Sequence, residues 1–106
     1  MKVYISGPMT GLPEFNFPAF HAAEDAVRAL GHEPLNPARA MNGETHHPRW
    51  AYMRADLKMV CDADAIYQLP DWHKSKGARL EAQVADEIGL RFVTLNDLAM
   101  PPSPTP

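Results

Sequence analysis

Two periods of apolar residues organise the chain. Lys2 to Ser6, KVYIS, is a β-branched and aromatic run stopped by Gly7-Pro8, which predicts a strand. Gly11, Pro13 and Pro18 keep the next stretch in a loop. From Pro18 to Leu30 the period changes: Phe20, Ala23, Val27 and Leu30 recur at spacings of three and four, with Pro18 in the first turn and Gly31 beyond the end. HEPLNP (32–37) predicts a short, Pro-marked strand, and 38–48 a loop. A second helix is predicted from Arg49 to Cys61 on Trp50, Met53, Leu57 and Val60. DAIYQL (64–69) is the next strand, followed by the loop DWHKSKG (71–77). A helix over 75–89 rests on Ala78, Val84, Ala85 and Ile88, and RFVTL (91–95) is the last strand.

The alternation β-α-β-α-β-α-β predicts a flavodoxin-like or Rossmann-like three-layer α/β/α domain with a small parallel sheet of about four or five strands. It spans residues 1–98, and the Pro-rich stretch 99–106 is a tail that cannot extend a ladder. In such sheets ligands sit beyond the carboxyl ends of the strands. The loops there, SGPMTG, NPARAMNGE and LPDWHKSKG, hold most of the Gly, Pro and polar residues.

Two helices break their own pattern. Glu81 lies three residues after Ala78 and four before Ala85, on the apolar stripe, although Arg79, Asp86 and Glu87 already serve the outer face. Asp56 repeats the fault between Met53 and Val60. A carboxylate at a stripe edge can cap a loop or pair with an Arg. Two inward acids, each on a helix that follows a ligand-end loop, point instead to one shared pocket, because an unpaired buried carboxylate is costly. Two carboxylates across a pocket suit glycosidic bond cleavage, one attacking the anomeric carbon and the other handling protons. Glu81 near a helix start gains from the positive dipole end, which favours its ionised form.

Composition narrows the partners. The 106 residues are 45% hydrophobic and 22% charged, with a net charge of −3 and no basic block, which argues against a nucleic acid polymer as partner. Small anions remain open to it, since a few amides and one or two cations can hold them. No apolar run of about 18 residues exists to cross a membrane. A single cysteine, Cys61, excludes a disulfide framework, and a cytoplasmic protein is expected.

Four stretches, VYISGPMTG, FNFPAF, YMRADLKMVCDADAIYQLPDW and SKGARLEAQVADEIG, resemble the nucleoside 2-deoxyribosyltransferase superfamily, in particular its small phage and bacterial members that open with YISGPMTG. The resemblance implies that Glu81 is the nucleophile at C1′ of a 2-deoxyribosyl group, that Asp56 assists proton transfer and sugar contact, and that Tyr4 lies near the nucleophile. Six residues before Glu81, family enzymes acting on free nucleosides carry Asp, whereas those hydrolysing deoxynucleoside 5′-monophosphates carry Ser that contacts phosphate. This chain has Ser75. A helix start at Ser75 and Gly77 favours an anion, and Ser75 also reads as a plain N-cap. Ser6 and Gly7 would let backbone amides approach a ligand. Asn16, Asp71 and Trp72 are candidates for base recognition, with Phe15 and Phe17 as further loop aromatics.

The resemblance implies a retaining N-glycosidase or transferase on a small-molecule deoxynucleoside or deoxynucleotide, without metal or cofactor, in a homo-oligomer. A non-catalytic nucleotide-binding module of the same fold is the competing expectation, and a ribosyl ligand is a third. His46 and His47 invite a metal reading with Cys61 or His73. Adjacent histidines are expected to point apart and no His-x-x-x-His or Cys-x-x-Cys pair supports them, so no metal site is expected.

Overall fold

The computed structural model describes residues 1–100. Its sheet has four strands in the order β2-β1-β3-β4, all neighbours parallel. They are β1 (Lys2–Ser6), β2 (Glu33–Leu35), β3 (Ala65–Gln68) and β4 (Arg91–Val93). Strand β1 lies centrally, with Tyr4 opposite Leu35 on one side and Ile66 on the other. The α/β class and the parallel sheet agree with the sequence pattern.

Alternation along β1 divides the core. Val3 and Ile5 face α1 (Phe17–Ala29), packing with Val27, Phe20 and Ala23. Tyr4 faces the opposite layer with Ile66, where Val60 of α2 (Arg49–Asp62) and Ala85 of α3 (Lys76–Glu87) meet it. Helices therefore cover both faces, as a parallel sheet of apolar strands requires.

Four details depart from the pattern. The last strand stops at Val93 rather than Leu95. Thr94 instead caps a short helix, α4 (Leu95–Ala99), in a reciprocal capping box with Asp97. Leu98 of α4 joins Val3 and Val27 in the core, so α4 shares the layer of α1. The expected tail thus begins inside a helix, and its residues 101–106 lie outside the described residues. Trp50, placed on the inner face of α2 by its spacing, is 64% exposed, with Arg54 over its ring at 6.0 Å. It occupies the first turn, before the helix reaches the sheet. Ile88, the last member of the α3 stripe, falls beyond Glu87 where the chain turns through Gly89, and it is exposed.

Two connections shape the ligand end. Glu14, Phe15 and Asn16 all take left-handed φ (52°, 54°, 61°) just before α1. The Asn16 side chain steadies this turn by donating to the Pro8 carbonyl at 3.0 Å. After β2, Pro37–Gly43 forms 3-10 turns whose Arg39 donates twice to Glu24 of α1, both at 2.7 Å. Glu24 is buried, and this bidentate pair holds its carboxyl below the usual range.

Candidate active site

The strand order reverses between β1 and β3, and the carboxyl ends of those strands open into a cavity of about 370 Å³. Glu81 and Asp56 line it, one from α3 and one from α2. Both are buried, Glu81 4% and Asp56 9% exposed. The faults in the two helical stripes therefore converge on a single space.

Alternation along β1 furnishes the support beneath Glu81. Tyr4 Oη donates to Glu81 Oε2 at 2.9 Å, and Ser6 Oγ donates to Glu81 Oε1 at 2.7 Å. Both donors are fully buried. One donor per oxygen fixes the plane of the carboxylate and leaves each oxygen a further lone pair. Tyr4 stays protonated, its hydroxyl pushed well above the ordinary value by burial and by the charges of Glu81 and Asp56.

Burial also raises the pKa of both carboxyls. For Glu81 the rise is opposed by hydrogen bonds from Ser6, Tyr4 and Asp56. Asp56 is pushed up to about 8, first by burial, then by the charge of Glu81 and by a hydrogen bond to it. Its Oδ1 is buried and receives no hydrogen bond from the described residues. Glu81 is thus supplied with donors and Asp56 is not, so a single proton shared by the pair resides on Asp56. The site holds one anchored carboxylate beside one carboxylic acid.

The remaining sequence candidates divide. Gly7, Ser75 and Gly77 line the cavity with Glu81 and Asp56, whereas Tyr4 and Ser6 act from below through Glu81. Ser75 is the N-cap of α3, its Oγ accepting from Ala78 N–H at 3.2 Å, which leaves its own hydroxyl proton free to donate outward. Gly7 is required by packing, since a Cβ there would meet Leu69 Cβ at 2.8 Å. Asn16 and Asp71 border an adjoining cleft that shares Ser75, Gly77, Thr10 and Arg49 with the cavity. Asn16 spends its amide on Pro8, and Asp71 pairs with Lys74 at 3.5 Å. Trp72 is not among the residues lining either space; its ring meets His73 edge-on instead. A left-handed residue, Asp71, redirects the chain just before it.

Two of the loop aromatics named from the sequence reach the cavity, whereas Arg49, Glu44, Thr45 and Tyr52 are lining residues that the pattern did not single out. Phe15 and Phe17 do line the cavity, their rings 6.0 Å apart, and Phe15 is half-exposed above it. Arg49, the first residue of α2, borders both spaces and makes no ion pair among the described residues. As one surface Arg at a helix start it looked ordinary. Glu44, Thr45, His47 and Tyr52 complete the rim.

Residues 1–94 match the family described as Domain of unknown function (DUF4406). The chain belongs to this family. Among solved structures, a 2-deoxyribosyltransferase from the psychrotolerant bacterium Bacillus psychrosaccharolyticus is similar, with a TM-score of 0.70 and 21% identity. The likeness covers 89% of this chain and 71% of that one. At this identity it establishes a shared fold. No curated protein matches the chain. No helix among the described residues of this DUF4406 member is long and apolar enough to cross a membrane.

Proposed function

We propose that this DUF4406 protein cleaves the N-glycosidic bond of a 2′-deoxynucleoside or its 5′-monophosphate by a retaining mechanism through an ester on Glu81. The observation that carries the reading is the buried pair: a carboxylate anchored by Tyr4 and Ser6 beside an acid that holds a proton near neutral pH. The fold it shares with a 2-deoxyribosyltransferase supports the same reaction class.

In the first step a Glu81 oxygen bonds to C1′ as the C1′–N bond breaks, and the base leaves with the electron pair. Once the negative charge of Glu81 is consumed in the ester, the Asp56 proton loses its acceptor and passes to the departing base. In the second step water or a second base attacks C1′, returns a proton to Asp56 and releases the Glu81 carboxylate. Two inversions give retention. Burial favours the step, since fixed donors replace water around the charge. Phe15 and Phe17 offer faces to a nucleobase. Ser75, the amides at the start of α3 and Arg49 suit a 5′-phosphate. The reaction needs no metal or cofactor, and a homo-oligomer in the cytoplasm is the setting we propose.

The test is chromatographic detection of free base from deoxynucleosides, their 5′-monophosphates and matching ribonucleotides, each with and without a second base. Release that vanishes in Glu81→Ala is the expected result. Ligand binding without release from any substrate, equal in both proteins, would leave a nucleotide-binding module and overturn the reading.

A further inference from the structure

The rim segment before α2 has a chemistry that base cleavage does not use. Glu44, His46 and His47 each present one metal-ligating atom, and these atoms all lie within 4.8 Å of one another. His47 Nε2 is already 3.1 Å from Glu44 Oε1. The imidazoles of His46 and His47 do not point apart, as neighbours in an extended chain would. Their ring centroids are 4.3 Å apart and their planes are inclined by 30°. The chain bends at His47, so the two side chains do not alternate as they would along a strand.

The segment is held in place from α2. Tyr52 Oη donates to the Glu44 carbonyl at 2.5 Å and accepts from His47 N–H at 3.2 Å. The His47 ring meets Tyr52 edge-on at 5.8 Å. Backbone positions of two of the three ligands are thereby fixed, so only side-chain torsions remain to be set.

We infer that Glu44, His46 and His47 form a binding site for a first-row divalent cation of the zinc type at the rim of the cavity. Two imidazoles and one carboxylate are the donors such ions prefer over calcium or magnesium. In a tetrahedral zinc shell with bonds of about 2.0–2.1 Å, ligand atoms lie roughly 3.3 Å apart. The present cluster reaches that spacing by small rotations of exposed or half-buried side chains. Three protein ligands leave a fourth position for water or for a donor atom of whatever occupies the cavity, which Glu44 and His47 also line. The inference rests on these ligands alone and stands or falls separately from the chemistry at Glu81.

Calorimetric titration of the full chain, free of any affinity tag, with zinc chloride tests it. One zinc per chain is expected. Loss of one of three direct ligands, in His46→Ala or His47→Ala, weakens binding by about ten-fold or more. Cys61→Ser leaves it unchanged, because Cys61 lies near the far end of α2, roughly 18 Å along the helix. Circular dichroism identifies any variant that fails to fold, and the d–d absorption of cobalt bound in place of zinc reads the coordination geometry, with loss of the tetrahedral bands expected in His46→Ala and His47→Ala. Absence of saturable one-to-one binding, or equal affinity in folded His46→Ala, His47→Ala and wild-type chains, would overturn the inference.

Discussion

At the scale of single residues, the site is a contest between burial and hydrogen bonding for one proton. Glu81 receives donors from Tyr4 and Ser6, and Asp56 receives none among the described residues, so Asp56 keeps the proton until about pH 8. If that proton goes to the leaving base, base release falls as pH rises through about 8, and Asp56→Asn is slow with no such alkaline limb in kcat/KM. A limb that survives the substitution unchanged would assign it to another group. Tyr4→Phe removes one donor from a buried carboxylate while keeping the ring in the core. A loss of about 1–3 kcal/mol in stability is expected from urea midpoints, together with slower base release. Both acids were legible because a 3.6-residue period states which side a residue faces. Tyr4 and Ser6 follow from the two-residue period once Glu81 is known to lie on that face. Trp72 was not legible: a single left-handed residue at Asp71 turns the chain, and no periodicity records that.

Elements are positioned by a few directed contacts. The Arg39–Glu24 pair fastens the turn after β2 to α1, and that turn supplies Pro37 and Ala40 to the cavity wall. Helix α4 depends on its cap, since five residues cannot sustain a helix by propensity. Thr94→Ala is therefore expected to lower stability by about 0.5–2 kcal/mol, with base release unaffected, which urea unfolding and the base assay together would measure. The signal for α4 stood in the chain as Thr94-x-x-Asp97. It was masked because Thr94 and Leu95 continue the β-like run RFVTL, and a strand reading absorbs them. Stripes in α1 and α3 were longer and correspondingly clearer. At α2 the same reasoning placed Trp50 inside, because spacing specifies a face and not how far the sheet extends beneath it. The histidine cluster escaped for a related reason: the chain bends at His47, so the two adjacent rings do not point apart as they would in an extended segment.

For the whole molecule, the buried carboxyls set how stability depends on pH. Glu24 has a folded pKa below its ordinary 4.5, so its contribution is present above that value and is lost as pH falls through the lowered one. Asp56 and Glu81 have folded values above their ordinary 3.8 and 4.5, so theirs is fully present below those values and is lost as pH rises. For Asp56 the loss is complete just above about pH 8. The two slopes oppose each other, and the descending one is already under way through neutrality. Stability is therefore expected to peak on the acid side of neutral and to decline between pH 5 and 8, read as urea midpoints at constant ionic strength. The double variant Asp56→Asn, Glu81→Gln removes the descending slope and keeps the Glu24 slope, so its maximum moves to higher pH. If the wild-type midpoint instead rises steadily from pH 5 to 8, the pair does not hold a proton in the native state. The charge distribution on which the glycosidic reading depends would then be wrong, whatever the fold.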